Sequence, residues 1–169
     1  MKNMKIVRNI AIGLVLLFVA SCKPEEFGPI GAPRAAITTQ LKGTWQVDKV
    51  IQSDENAVKY DFPNKQMDIT NIYPYKDFNI TFNLDEAGLP STFTSIQGNS
   101  PKIIGISEGS WSVDNADAPK VITLTKGTTV SKIEITNYSS LKLQKLNLKL
   151  IKYFNSKPVL SYQFELIKK

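Results

Sequence analysis

Apolar and polar residues alternate along much of this 169-residue chain. The alternation is clearest where Phe78, Ile80, Phe82 and Leu84 fall on one side of an extended chain and polar residues fall on the other. A period of two residues is typical of a β-strand with one buried face. The same pattern predicts further inward-facing sets: Trp45, Val47 and Ile51; Trp111 and Val113; Ile122 and Leu124; Ile133 and Ile135; Leu160, Tyr162, Phe164 and Leu166.

Clusters of turn-forming residues separate these segments, at 85–88, 98–101, 114–117 and 126–127. About eight strands follow one another at spacings of roughly 8–15 residues. A single helical turn is expected at 37–41, because Gly43 leaves no room for more. The pattern predicts an all-β, antiparallel fold of about eight strands, either a barrel or, alternatively, a β-sandwich.

The segment 141–154 is rich in leucine and lysine, a composition that often forms helices. At helical spacing its apolar side chains scatter around the whole axis, whereas at strand spacing Leu146, Leu148 and Leu150 line one face. The two leucines before them have the opposite parity, so a β-bulge is expected at 144–145.

The last two strands restrict the turn that joins them, because their inward residues are all even-numbered. A one-residue slip would turn a whole strand over. The turn should therefore have three residues, 156–158, or five. In that register Leu150 pairs with Phe164, Phe154 faces inward, and Pro158 stays out of the ladder because it has no N–H.

The N-terminus has a different pattern. Basic residues are followed by an apolar run over 10–20 and then by Val19-Ala20-Ser21-Cys22. About 20 apolar residues are needed to cross a bilayer, so this run is too short for a transmembrane helix. The segment resembles the signal peptide and lipobox of bacterial lipoproteins, and a plain secretory signal is the alternative. The resemblance implies that residues 1–21 are removed and that Cys22 is lipidated, anchoring the protein in a membrane through its acyl chains.

Residues 22–36 predict a flexible tether, rich in proline and glycine, before a domain that spans 37–169. Glu25 and Glu26 follow the lipidation site, and they resemble the acidic signal for surface display in Bacteroidetes-type lipoproteins. We therefore expect a lipid-anchored outer-membrane protein. Display on the cell surface is one interpretation of the two acids, and a chance pair of charges in a solvated linker is the alternative.

Composition removes several kinds of chemistry. The chain has no histidine and one cysteine, so Ser-His-Asp or Cys-His catalysis and histidine-based zinc sites are excluded. No cofactor motif, calcium-loop spacing or placed carboxylate pair is present, and we expect no catalytic residue, no metal site and no cofactor. The net charge is +6, and lysines concentrate after residue 120. Because those lysines alternate with apolar residues, they are expected to fill the solvent faces of strands, and nucleic acid is not an expected partner.

Two Gly-x-Trp triplets, Gly43-Thr44-Trp45 and Gly109-Ser110-Trp111, carry a family resemblance. The chain over 37–169 resembles the lipocalin-like domains of small, uncharacterised Bacteroidetes-type lipoproteins. The resemblance implies a lipocalin-like barrel with Trp45 plugging its closed end and Trp111 in a structural role. Lipocalins stack an arginine on that tryptophan, but the arginines of this chain, Arg8 and Arg34, precede the domain, so a lysine is the available substitute.

The long connection over 52–72 and the residues after it carry the best candidate site. Tyr60, Phe62, Tyr73 and Tyr75 are expected around the open end of the barrel, where they could bind a small lipid or a glycan. The alternative is a hydrophobic lid over the core. Two functions follow: an envelope lipoprotein that binds a small apolar or glycan ligand, or a non-enzymatic accessory scaffold with an envelope protein partner. A large open cavity favours the first function, and a filled barrel favours the second.

Overall fold

The computed structural model describes residues 36–169. The predicted signal peptide 1–21, Cys22 and all but the last residue of the predicted tether 22–36 lie outside the described residues. The nine strands of the described part are β1 (Gly43–Asp54), β2 (Gln66–Asp68), β3 (Asn79–Leu84), β4 (Pro90–Ile96), β5 (Glu108–Val113), β6 (Val121–Lys126), β7 (Thr129–Asn137), β8 (Lys145–Phe154) and β9 (Lys157–Lys168). The helical segments are one short α-helix (Glu55–Lys59) and the 3-10 helices Ile37–Leu41, Tyr75–Asp77 and Tyr138–Leu143.

Eight of these strands form a closed antiparallel barrel. Each strand from β3 to β9 pairs with the next, β1 pairs with β3, and β1 also pairs with β9, which closes the barrel. The remaining strand, β2, pairs with the far part of β1. The predicted all-β, antiparallel, lipocalin-like barrel is confirmed, and the alternative of a β-sandwich is wrong, since one continuous sheet closes on itself.

Antiparallel pairing gives the barrel two distinct ends. We call the end where Trp45 pairs with Lys168 the lower end, and the end where Asp54 pairs with Leu160 the upper end. The lower end carries the segments 37–42, 85–89, 114–120 and 138–144. The upper end carries the segments 55–78, 97–107, 127–128 and 155–156.

Trp45 closes the lower end. It is fully buried, and its indole Nε1–H donates to the carbonyl of Leu41 at 2.7 Å, which ties it to the first 3-10 helix. The ammonium of Lys168 lies 5.3 Å from the centre of the indole ring and donates to the carbonyl of Gln40 at 3.3 Å. Lys168 thus makes the cation–π contact for which the lipocalin resemblance implies an arginine.

Trp111 packs deeper in the same half of the barrel. Its indole Nε1–H donates to the carbonyl of Asn83 at 2.7 Å, and its ring centre lies 4.9 Å from that of Phe82. Gly109, two residues earlier, has φ 151°, and a Cβ at this position would lie 2.1 Å from the carbonyl oxygen of Thr125. Only glycine therefore lets β5 and β6 approach this closely.

The predicted inward faces are confirmed where strands are regular, as at Ile80, Ile122 and Ile133. In β1 the prediction for Ile51 is wrong. The pairing of β1 with β9 shifts between Val47 and Lys49, and this bulge turns the following residues over. Val50 is consequently buried and Ile51 is only half-buried.

The segment before β8 also differs from the prediction. Tyr138–Leu143 is a 3-10 helix that ends at Gln144, which has a left-handed backbone with φ 57°. The change of face at this point therefore comes from a helical turn and a left-handed residue, and the predicted bulge in a continuous strand is wrong. Both leucines belong to this 3-10 helix; Leu141 is buried, whereas Leu143 is exposed.

In the hairpin of β8 and β9, the prediction that even-numbered residues face inward is confirmed, and the predicted length of the turn is wrong. Leu148 pairs with Phe164, and Leu150 pairs with Tyr162, so even-numbered residues share the inward face with a register two residues away from the predicted one. The turn has two residues, Asn155 and Ser156, both with positive φ, which suits a tight hairpin. The pairing register of β8 with β9 shifts between Lys152 and Tyr153, and this shift allows the two-residue turn.

That shift also corrects the tip of the hairpin. Pro158 pairs with Tyr153 in the ladder instead of staying outside it. Phe154, predicted to face inward, is 69% exposed.

Candidate functional site

The inside of the barrel is filled. The cavity in its centre has a volume of about 10 Å³ and is walled by apolar side chains that include Val47, Ile133 and Phe164. One water molecule needs roughly this much space, whereas ligand pockets measure about 300–1,000 Å³. The described barrel therefore has no interior room for an acyl chain or a sugar.

The upper end is covered by the connection between β1 and β3. It begins with the short helix because the Asp54 carboxylate accepts hydrogen bonds from the backbone N–H groups of Asn56 (2.9 Å) and Ala57 (3.0 Å), the usual role of an N-cap aspartate. The chain then returns as β2, where Met67 pairs with Gln52 of β1. The connection is thus tied to the barrel by the backbone pairing of β2 with β1.

The short helix packs on the outer face of the barrel. Ala57 is buried, and the Glu55 carboxylate lies 3.3 Å from the ammonium of Lys149 on β8. The neighbouring hydroxyl of Ser161, followed by the Lys149 ammonium, lowers the pKa of the Glu55 carboxyl from its ordinary value.

Tyr60 and Phe62, two of the predicted site residues, follow this helix and are exposed. Their ring centres lie 5.9 Å apart, and the Lys59 ammonium lies 5.1 Å from the centre of the Tyr60 ring. Tyr60 borders a surface groove of about 420 Å³ between the short helix and the start of β9. We call this the helix groove; it is lined by Glu55, Asn56, Val58, Lys59, Tyr60, Lys157 and Pro158.

Tyr73 and Tyr75, the other two predicted residues, lie over the mouth of the barrel. Their rings meet edge to face at 6.0 Å. Tyr73 is exposed, whereas Tyr75 is only 5% exposed and packs edge to face on Phe164 at 6.1 Å. Beside Tyr75 is a pocket of about 120 Å³, which we call the mouth pocket; it is lined by Tyr75, Pro101, Lys102, Ile103, Leu150, Lys152, Tyr162 and Phe164.

The four predicted residues form two contacting pairs, Tyr60 with Phe62 and Tyr73 with Tyr75. Tyr60 borders the helix groove and Tyr75 borders the mouth pocket. Tyr75 acts as the lid of the alternative interpretation, since it covers Phe164.

The sequence interpretation missed Lys102, Lys152 and Tyr162 as lining residues of the mouth pocket. One signal could have found Lys152. It has the parity of the inward-facing Leu148 and Leu150, and a lysine at an inward position near a strand end points toward the mouth of a barrel.

Three further features concern the lipidation site, metal binding and membrane-spanning helices. Cys22 lies outside the described residues. Within 36–169, no three histidine, cysteine, aspartate or glutamate side chains come together as a metal-binding group. Across the same range, none of the helices has the length and apolar character needed to span a membrane.

Comparison with known families gives one match, which covers nearly the whole chain. Residues 20–167 match the family described as "Domain of unknown function (DUF5004)". No curated protein matches the chain.

Proposed function

The chain belongs to the DUF5004 family, and we propose that it is a lipid-anchored cell-envelope protein whose barrel is a non-enzymatic scaffold for recognition at its upper end. In this proposal the barrel supports the recognition surface and does not bind a ligand in its interior. The observation that carries this proposal is the filled interior, with a central cavity of about 10 Å³.

The distribution of exposed apolar side chains supports recognition at the upper end. Aromatic and aliphatic residues of the β1–β3 connection and of the β8–β9 hairpin face solvent there, where they do not add to the core. They are Val58, Tyr60, Phe62, Met67, Ile72, Tyr73, Tyr153 and Phe154. At the lower end the exposed large apolar residues of the described chain are fewer: Leu89, Leu143 and Ile167.

The chemistry of the chain supports a non-enzymatic role. It contains no histidine, and the carboxylates at the upper end are engaged in structure. Asp54 caps the short helix, Glu55 pairs with Lys149, and Asp77 accepts a hydrogen bond from the backbone N–H of Asn99 at 3.2 Å.

The scaffold proposal is tested by offering the purified full chain a fluorescent fatty acid and following the methyl resonances of Ile133 and Leu148 by NMR. We expect no saturable shift of either methyl, because an acyl chain does not fit between them. The Phe164→Ala variant serves as a positive control, since it opens space beside the same methyl groups. A stoichiometric shift in the unmodified protein would show that the barrel opens to take a lipid, and would overturn the proposal.

The lipid anchor is tested separately. Val19-Ala20-Ser21-Cys22 supports lipidation at Cys22, and display at the outer membrane follows from the same resemblance. The Cys22→Ser variant should lose the acyl label from radiolabelled palmitate and leave the outer-membrane fraction or remain as the larger precursor. Ser21→Ala is the matched control and should retain both label and fraction. A processed Cys22→Ser protein that stays with the outer membrane would contradict anchoring at this residue.

The second candidate function is binding of a small glycan, and the helix groove favours it. Tyr60 and Phe62 present a tilted pair of exposed rings beside a groove of about 420 Å³, and such rings pack against the C–H faces of sugars. A glycan array with the purified chain tests it: the Tyr60→Ala/Phe62→Ala variant should lose any signal that the unmodified protein gives. A signal that persists in the variant would exclude this groove as the binding surface.

A further inference from the structure

The mouth pocket has an unusual balance of polar groups. Two lysines, Lys102 from the β4–β5 loop and Lys152 from β8, line it, and no carboxylate is among its lining residues. Within residues 36–169, neither lysine has an acidic partner, although six other lysines form ion pairs. The pocket therefore presents two uncompensated positive charges.

Phenol groups add further donors. Tyr75 and Tyr162 both line the pocket. Burial raises the pKa of the Tyr75 hydroxyl, and the neighbouring phenol groups of Tyr162 and Tyr73 raise it further. The Tyr75 hydroxyl therefore stays protonated at neutral pH and can donate a hydrogen bond.

The floor of the pocket is aromatic. The rings of Tyr162 and Phe164 are stacked, with centres 6.4 Å apart and planes inclined by 24°. Phe164 also lines the central cavity of about 10 Å³, which is too small to take a ligand further into the barrel. The volume of about 120 Å³ is below the roughly 300–1,000 Å³ of a pocket that encloses a whole ligand, so the pocket takes a charged group and the edge of the ring that carries it.

We infer that the mouth pocket binds the anionic group of an acidic saccharide, a carboxylate or a sulfate, between Lys102 and Lys152. Two ammonium groups favour an anion, and the aromatic floor favours a ligand with a C–H face next to its charge. A flat lipid surface would contact lysines spread over an outer face, whereas these two lysines line the same pocket. The inference concerns this pocket alone and does not depend on the membrane anchor or on the helix groove.

The test compares glucuronic acid with glucose, which differ at one position: a carboxylate replaces a hydroxymethyl group. Both are titrated into the purified full chain while backbone amide resonances are followed by NMR. We expect glucuronate to shift the amides of Lys102, Ile103 and Tyr162, and glucose to leave them in place. Raised salt should weaken the binding, because partly exposed charges are screened.

The Lys102→Gln/Lys152→Gln variant should weaken glucuronate binding at least about tenfold, a change of about 1.4 kcal/mol. The matched control is Lys120→Gln/Lys132→Gln, which removes the same charge from exposed lysines outside the pocket. Both variants change exposed side chains, so both should keep the melting temperature of the unmodified protein.

Three results would overturn the inference. Equal weakening in the control variant would show that net charge alone attracts the sugar acid. Inorganic phosphate binding as tightly as glucuronate would show that the pocket takes an anion without recognising a sugar. Vesicles of phosphatidylglycerol that bind through Lys102 and Lys152, where phosphatidylcholine vesicles do not, would assign the pocket to a lipid headgroup.

Discussion

At the lower end of the barrel, Trp45 and Trp111 are buried and both indole N–H groups donate to backbone carbonyls. At the upper end, Tyr60, Phe62 and Tyr73 expose more than half of their surface. The two ends use similar residue types for opposite purposes. Below, each ring fills space and satisfies its polar atom inside the protein. Above, the rings leave their faces in solvent, where they contribute little to folding.

Burial, and not aromatic character, therefore distinguishes the structural residues from the candidate recognition residues. Burial of a large aromatic side chain stabilises a fold by several kcal/mol, whereas surface positions away from special features usually contribute within about 0.5 kcal/mol. Mutations at the two ends should therefore separate stability from binding.

The largest effect is expected at the lower end. Trp45→Ala should lower the free energy of unfolding by about 3–5 kcal/mol, because it removes a fully buried ring and leaves a cavity. The measurement is urea denaturation followed by circular dichroism. Tyr60→Ala, a change of similar size at the upper end, should stay within about 0.5 kcal/mol of the unmodified protein. Equal losses at both positions would remove the distinction between the ends.

At the upper end, a smaller loss of stability should distinguish Tyr75 from its neighbour Tyr73. Tyr75→Ala should cost about 3 kcal/mol, since Tyr75 is 5% exposed and covers Phe164. Tyr73→Ala should cost less than about 1 kcal/mol, because the exposed Tyr73 loses little beyond its edge-to-face contact. Thermal unfolding of both variants measures the difference. Similar losses at both positions would mean that Tyr73 is also part of the lid.

The smallest effect depends on pH and concerns the helix beside the helix groove. The pKa of Glu55 is lowered in the folded protein from its ordinary value of 4.5. Its charged form therefore contributes stability that is present above 4.5 and is lost as the pH falls through the folded pKa. Glu55→Gln should lower the free energy of unfolding by about 0.5–1 kcal/mol at neutral pH, and the difference should shrink toward pH 3.

Denaturation curves of both proteins at several pH values measure this change. Glu86→Gln, in an exposed turn of the lower end, is the control and should show little difference at any pH. A Glu55→Gln difference that stays constant from neutral to acid pH would contradict the role of the Glu55 charge.

The sequence predicted the faces of regular strands and missed the points where strands are irregular. Alternation is a local signal, so Phe82 and Leu124 were placed correctly from their neighbours alone. The bulge that buries Val50 instead of Ile51 depends on the register between β1 and β9, two strands from opposite parts of the chain. No local pattern contains that information.

The same limit explains the candidate site. Tyr60 and Tyr75 lie in one connection, and proximity in sequence suggested one opening. In the structure Tyr60 borders the helix groove and Tyr75 borders the mouth pocket, and β2, which pairs with β1, lies between them in the chain. Lys102 and Tyr162 meet in the mouth pocket only after the barrel closes, so composition and spacing could not bring them together.

The pairing of β1 with β9 also has a consequence for the order of folding. Trp45 pairs with Lys168, so the first strand of the barrel finds its second neighbour only after nearly the whole chain is present. The hairpins between β3 and β9 can form from nearby residues, whereas closure requires contacts between distant ones, which form slowly. Until closure, β1 and β9 expose unpaired strand edges that other chains can pair with. Closure by β1 and β9 is thus the step that removes these two exposed edges.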